Sequence, residues 1–247
     1  MPDSPPPWIL DLPQITWRPL PVAQPVIWPI QMIVHTAVSE ADSLFDWFNG
    51  PSNGNESHVY VRGDGIGEQY MDAEERADAN GAANRWFDPV TFGWVGAFSV
   101  ETWDNGDPAN TPWTAPQLDT LADIALWLNR TYQVPLAICA TPTSPGLGWH
   151  SMWPKPNPWS PGNHTCPGPL RVAQFTDQLI PLIHRKETQT KMATQLTGTE
   201  IKNYVDDSFA AAANDDSKGR RYWVRTAGKS DDPWAVFTEM DSELGLP

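Results

Sequence analysis

One stretch of the chain, residues 146–168, concentrates side chains that bind metals. It reads GLGWHSMWPKPNPWSPGNHTCPG and contains His150, His164 and Cys166. Its prolines, tryptophans and glycines exclude a regular helix or an inner strand, so we expect a loop that folds back on itself. Such a loop can bring His150 and Cys166 to one point, and imidazole nitrogen and thiolate sulfur both suit zinc.

Two ligands do not make a zinc site, so a third side chain must come from elsewhere in the chain. The other early candidates are His35 and His58, and His35 ends the apolar run Met32-Ile33-Val34. We therefore predict a triad of His35, His150 and Cys166 with an open fourth position, the arrangement of a catalytic zinc ion. On spacing alone, the alternative is a buried structural thiol with two loop histidines.

The composition excludes several classes of protein. A formal net charge of −14 lacks the basic footprint of a nucleic-acid binder and gives no attraction to anionic lipid. The N-terminus has no secretory signal, and no apolar run approaches the roughly 20 residues that cross a bilayer, so we expect no membrane insertion. We expect a soluble protein that is made in the cytoplasm and that another protein must release if it acts outside. The two cysteines form no disulfide framework, and we interpret Cys139 as part of the core.

The elements that must position the candidate ligands follow from the apolar pattern and the turn residues. Strands are predicted over residues 31–35, 57–62, 66–71, 95–103 and 135–140. Helices are predicted after a cap at Ser39, over residues 72–84, after the Thr114–Gln117 capping box, and over residues 170–183, where Pro181 bends or frays the end.

Three other segments carry separate expectations. Residues 1–30, rich in proline and tryptophan, are predicted to form an extended arm over the domain surface. Residues 187–199 are polar and linker-like, and residues 200–247 have two apolar clusters, enough for a small C-terminal module. The fourteen tryptophans indicate a core plus an exposed binding surface, and the alternative is that most of them fill the core beneath long loops.

Glu101 is the carboxylate of the predicted strand 95–103, in which most residues are apolar. A glutamate in this position either faces solvent at a strand end or belongs to a site. The spacing does not decide between the two.

The ordered set of motifs resembles the type 2 N-acetylmuramoyl-L-alanine amidases, a zinc superfamily that includes phage lysins and peptidoglycan recognition proteins. The resemblance covers residues 31–185, and its most specific parts are His35-Thr36-Ala37, the hairpin that starts at Ser57-His58, and His164-Thr165-Cys166-Pro167-Gly168. It implies an α/β fold in which a central mixed β-sheet is flanked by helices. The catalytic domain is then residues 31–186, with residues 200–247 as a small appendage.

The resemblance also implies roles for single residues. The family's three zinc ligands correspond to His35, His150 and Cys166, which agrees with the triad proposed from chemistry. Glu101 corresponds to the family's glutamate and is the expected general base. His164 stands where many members have a lysine, and we expect it to stabilise the oxyanion. His58, which follows a serine where the family often has a tyrosine, is expected to be structural or to support the site.

The activity implied is zinc-dependent hydrolysis of the amide between N-acetylmuramic acid and L-alanine in bacterial peptidoglycan. With no signal peptide, the setting expected is a phage or prophage endolysin that reaches the cell wall after holin-type release. The oligomeric state stays open. The alternatives are a non-catalytic peptidoglycan-binding module, an endopeptidase on the same scaffold, and a structural virion or cell-surface protein in which the metal is only a staple.

Overall fold

The computed structural model describes residues 6–50, 55–80, 84–152 and 165–195 of the 247-residue chain. The chain divides into two units between Gln189 and Thr190, so the described residues belong to the first unit except for residues 190–195. The predicted module at residues 200–247 lies outside the described residues. None of the described helices combines the length and the apolar character needed to cross a membrane.

The described residues form one seven-stranded mixed sheet and a set of helices. In chain order the strands are β1 (Ile15–Trp17), β2 (Trp28–Val34), β3 (Val59–Val61), β4 (Gly67–Gln69), β5 (Arg85–Asp88), β6 (Gly93–Thr102) and β7 (Gly146–Trp149). The helices are α1 (Phe45–Phe48), α2 (Ala115–Tyr132), α3 (Pro169–Gln174) and α4 (Ile180–Gln195). The strand order is β1-β4-β3-β6-β2-β7, with β5 paired to β6. The predicted fold class, a mixed sheet flanked by helices, is confirmed.

The main core lies between one face of the sheet and α2. The capping box of Thr114 and Gln117 starts this helix as predicted. The fully buried Leu121 and Leu128 pack in one cluster with Phe98 and Val100 of β6. The C-terminal helical segment joins the same cluster through Phe175, Leu179 and Ile183. The other face of β2 and β6 carries a smaller cluster of Ile33, Ala97 and the buried Cys139, which confirms the interpretation of Cys139 as core.

Three predicted elements are wrong, and in the first two hydrogen bonds to distant residues replace the local pattern. Ser39 caps no helix: α1 starts only at Phe45, and the Ser39 N–H donates to Asp104 instead. The described residues of 72–84 are mainly turns, because their backbone bonds the N-terminal arm, as in Ile27 N–H to the carbonyl of Glu74. Residues 135–140 contribute only an isolated bridge to β7, between Ile138 and Leu147.

The two ends of the domain also differ from the expectation. The N-terminal arm does more than cover the surface, because β1 pairs with β4 and Leu10 and Leu20 are buried. At the other end the helical segment continues beyond the predicted end at residue 183 to Gln195. A π-helical turn, Phe175–Leu179, ends two residues before the proline and accommodates its ring and its missing N–H. The predicted linker is therefore helical in its first part, and its role as a domain boundary stays a prediction.

The tryptophans are divided between the two alternatives. Trp113 and Trp127 are buried in the main core, whereas Trp28, Trp47 and Trp94 are exposed. Trp28 and Trp94 lie at the amino-terminal ends of β2 and β6. The exposed tryptophan rings of these two strands are thus at the opposite end of the sheet from the carboxyl ends of β2 and β6.

Candidate metal centre

The candidate site lies at the carboxyl edge of three parallel strands. β2 pairs with β6 on one side and with β7 on the other, in a register that sets Val34 beside Val100 and Trp149. His35 follows β2, His150 follows β7, and Glu101 follows Val100 on β6. Parallel pairing therefore brings the three side chains to one edge of the sheet.

These side chains also share one face of the sheet. Side chains alternate along a strand, so His35 lies on the face of Ile33, and Glu101 lies on the face of Ala97. That is the face opposite to α2, since Ile33 and Ala97 belong to the smaller cluster around Cys139. The main core is thus on one side of the sheet and the candidate site on the other.

The structure brings the predicted triad together. His35 Nδ1 lies 3.1 Å from His150 Nδ1 and 3.9 Å from Cys166 Sγ. One potential ligand atom from each of the three residues lies within 4.8 Å of the other two. A backbone bond from Ser151 N–H to the carbonyl of Cys166, 2.9 Å long, joins the two ends of the loop predicted to fold back.

The chemistry and spacing of this triad fit a zinc ion. Tetrahedral coordination with Zn–N of about 2.0–2.1 Å and Zn–S of about 2.3 Å separates two nitrogens by about 3.3 Å, and nitrogen from sulfur by about 3.6 Å. The separations at His35 are close to these values. Burial raises the pKa of the Cys166 thiol, so a cation is needed to hold it as a thiolate. The Thr36 N–H donates to the same sulfur at 3.2 Å, which also favours the thiolate.

Glu101 borders the triad, so of the two interpretations of this residue the structure favours the site. Its Oε1 is 3.9 Å from His35 Nδ1, and its side chain is 13% exposed. Its Oε2 is buried and makes no hydrogen bond within the described part of the chain. Burial raises the pKa of this carboxyl to about 8, the charge of Asp104 adds to the shift, and Arg171 opposes it.

His164 and His58, the other two histidines singled out from the sequence, differ in what the structure shows of them. His164 lies outside the described residues, so its predicted role stays a prediction. His58 is fully buried and stacks on Phe98 at 4.5 Å between ring centroids. Its Nδ1 accepts the Ser99 N–H at 3.0 Å, so its Nε2 carries the proton and donates to the carbonyl of Glu75 at 2.8 Å. Of the two expectations for His58, these contacts favour the structural role.

Sequence reasoning missed Asp104, a buried carboxylate that organises the turn after His35. It accepts the N–H groups of Val38, Ser39 and Gly106 at 2.7, 2.8 and 2.9 Å, and also the hydroxyl of Thr36. Val38 has a φ of 49°, which branched residues rarely adopt. The hydrogen bonds to Asp104 offset the cost of that conformation.

Arg171 was missed as well, although it is fully buried. Its guanidinium donates to the hydroxyls of Thr36 and Thr102 at 2.8 and 2.9 Å, and to the carbonyls of Trp103 and Thr111 at 2.8 and 2.9 Å. These four bonds satisfy a charge that would otherwise be costly to bury.

The sequence did hold a signal for Arg171 but none for Asp104. Arg171 is followed at four-residue intervals by the buried Phe175, Leu179 and Ile183. Residues at this spacing share one helix face, so the pattern places Arg171 on the buried face. Asp104 lies in the polar stretch DNGD, which is typical of a surface turn. Only the tertiary structure shows that its side chain is directed inward.

Comparison with known proteins agrees with this geometry. Residues 28–169 match the family described as N-acetylmuramoyl-L-alanine amidase. The chain belongs to this family. No curated protein matches it significantly.

Solved structures of similar fold include amidases and a recognition protein. The Staphylococcus aureus hydrolase AmiA in complex with its ligand superposes with a TM-score of 0.50 at 15% identity, covering 70% of this amidase-family chain and 83% of AmiA. The N-acetylmuramoyl-L-alanine amidase LysC from Clostridium intestinale URNW has a TM-score of 0.43 at 16% identity, covering 66% and 95% of the two chains. The Drosophila peptidoglycan recognition protein SD has a TM-score of 0.45 at 12% identity, and the match covers 66% of this chain and 93% of that protein. At these identities the similarity concerns the fold alone.

His58 makes the stability of this amidase-family fold depend on pH. Burial lowers its pKa from 6.5 to about 4, so the unfolded chain binds a proton in this range that the folded protein does not. Neutral His58 therefore contributes about 3 kcal/mol to the free energy of unfolding. This contribution is fully present above pH 6.5 and is lost as the pH falls toward 4. We expect the free energy of unfolding, measured with urea, to fall more steeply over this range in the parent than in His58→Asn. The asparagine does not titrate but can still accept the Ser99 N–H, and equal slopes in the two proteins would contradict the assignment.

Proposed function

We propose that the protein is a zinc-dependent hydrolase that cleaves the amide between N-acetylmuramic acid and L-alanine in bacterial peptidoglycan. The observation that carries the proposal is the convergence of His35, His150 and Cys166 beside Glu101, in a chain of the N-acetylmuramoyl-L-alanine amidase family. His35, His150 and Cys166 would hold the ion. When bound, zinc supplies a Lewis acid that polarises a carbonyl and lowers the pKa of water.

The number of potential ligands among the described residues supports an open coordination position. No fourth histidine, cysteine or carboxylate of the described residues joins the group of three potential ligands. Three protein ligands and an open position are typical of catalytic zinc sites, whereas structural sites have four. This favours an enzyme over a protein in which the metal is only a staple.

Glu101 is the proposed general base. The charge of a zinc ion held by the triad would lower the raised pKa of this carboxyl and favour its ionised form. In that form it takes a proton from the attacking water and gives it to the departing amine of L-alanine. Its position supports this role, because Oε1 is near the triad and Oε2 has no hydrogen-bond partner in the described part of the chain. A buried polar atom without a partner is costly, so its presence favours catalysis over a module that only binds peptidoglycan. His164 is proposed to stabilise the oxyanion.

The biological setting is a separate proposal. We propose that the protein is a phage or prophage endolysin, released from the cytoplasm by a holin-type protein, and that residues 200–247 target it to the wall. This proposal rests on the resemblance to phage lysins and on the order of domains predicted from the sequence.

The bond can be identified from the products. Digestion of purified cell walls should produce new amino groups on alanine and no new reducing sugars, because the described residues of the site offer one metal centre and one carboxylate rather than a glycosidase pair. Amino-terminal labelling with mass spectrometry and a reducing-sugar assay measure the two. New amino termini on a residue other than L-alanine would instead identify an endopeptidase on the same scaffold.

Replacement of Glu101 tests its catalytic role. We expect Glu101→Gln to keep the fold and the metal, because glutamine has the same shape, but to lower turnover by about 100- to 10,000-fold. Metal content, thermal unfolding and release of alanine amino groups are measured together. The matched control is Glu40→Gln, which removes an exposed carboxylate and should leave all three unchanged. Near-parental turnover in Glu101→Gln would place proton transfer on another residue.

A further inference from the structure

A hydrogen bond connects two of the three potential ligands: the peptide group that follows His35 donates its N–H to the sulfur of Cys166. The peptide between His35 and Thr36 has its carbonyl on one side and its N–H on the other. The carbonyl accepts the hydroxyl of Thr102 at 2.6 Å, and the N–H donates to Cys166 Sγ at 3.2 Å. The orientation of this peptide therefore determines whether an N–H points at the sulfur, and it also sets the direction of the His35 side chain.

One buried nitrogen, Nη1 of Arg171, contacts both threonines at this peptide: Thr36, which supplies its N–H, and Thr102, which bonds its carbonyl. Nη1 of Arg171 donates to the Thr36 hydroxyl at 2.8 Å and to the Thr102 hydroxyl at 2.9 Å. Arg171 is the third residue of α3, and Cys166 lies just before that helix. The same side chain thus joins the segment that carries Cys166 to the strand end that carries His35.

The contact is made from the opposite side of the sheet. His35 and Thr36 are consecutive, and the strand pairing continues past them through His35 N–H to Val100 and Ala37 N–H to Thr102. Consecutive side chains in such a segment point to opposite faces. His35 therefore faces the candidate metal centre, whereas Thr36 faces the buried guanidinium of Arg171.

Asp104 completes the arrangement. A hydroxyl has one proton to donate, and that of Thr36 goes to Asp104, so its lone pairs are left to accept from Arg171. No ion pair links Asp104 and Arg171 within the described residues, and Thr36 mediates between the two buried charges. This fixes the rotamer of Thr36 and, with it, the peptide that precedes it.

We propose that Arg171 is a positioning residue of the metal centre: through Thr36 and Thr102 it holds the His35–Thr36 peptide so that its N–H points at the Cys166 sulfur. This inference rests on the proposed function, since it concerns the ion that the triad would hold. Arg171 is not a catalytic residue, because its contacts are with residues that carry or flank the ligands. Its effect is on how tightly the site binds metal.

The test is the affinity of the metal-free protein for Zn²⁺, measured by competition with a chromogenic chelator, in the parent, Arg171→Met and Thr36→Val. Loss of a partner that orients a ligand typically costs 10- to 100-fold in metal affinity, and we expect roughly that loss in each variant. Because both residues act through one path, the double variant should lose less than the product of the two single effects. The absorption of the Co²⁺-loaded protein, which reports the sulfur–metal bond, should change in the same variants.

Two further variants separate positioning from other effects. Ile183→Ala, a buried change in α4, should lower the melting temperature but leave Zn²⁺ affinity unchanged. Arg171→Lys keeps the charge but has no planar fork to reach the four acceptors, so its affinity should stay reduced. Full recovery in Arg171→Lys would show that charge alone acts and would overturn the positioning role.

The remaining outcomes are also decisive. Unchanged Zn²⁺ affinity and an unchanged Co²⁺ spectrum in both Arg171→Met and Thr36→Val, with only a lower melting temperature, would overturn the inference and leave the metal centre intact. If Arg171→Met does not fold, Thr36→Val, which removes one hydroxyl, decides by the same criterion. Absence of Zn²⁺ binding in the parent would instead overturn the proposed metal centre itself.

Discussion

The parallel pairing of β2 with β6 and β7 is the constraint on which the candidate site depends. Main-chain hydrogen bonds fix the register in which Val34 lies beside Val100 and Trp149. A slip of one residue would turn His35 to the face that packs on α2. The large apolar cluster on that face makes such a slip costly. Burial of the core therefore determines the face of the sheet on which His35 and Glu101 lie.

The backbone does not fix Cys166 in the same way, because this residue lies in a loop. The chain provides two buried charges instead. Asp104 holds the turn after His35, and Arg171 joins that turn to the helix that follows Cys166. Each charge is satisfied by several hydrogen bonds, so their burial is tolerated. A polar network on the α2 side of the sheet thus supports a chemical site on the other side.

The sequence was sufficient for the parts of the structure that depend on local pattern or on specific chemistry. The triad of His35, His150 and Cys166 could be proposed because few side chains bind zinc, and α2 could be predicted because its capping box is a local signal. Asp104 was not found, because an aspartate directed inward and one in a surface turn have the same local sequence. The helix predicted over residues 72–84 failed for a related reason, since that backbone bonds the distant N-terminal arm.

The central claim is that His35, His150 and Cys166 bind one zinc ion in this fold. X-ray absorption at the zinc edge, on protein purified with its metal, tests the claim most directly because it reports the ligand atoms. The account predicts one zinc per chain with two nitrogen ligands at about 2.0–2.1 Å, one sulfur at about 2.3 Å and an oxygen ligand, such as water, in the fourth position. A zinc shell without sulfur, or with more than one sulfur, would contradict the account, as would protein that retains no zinc.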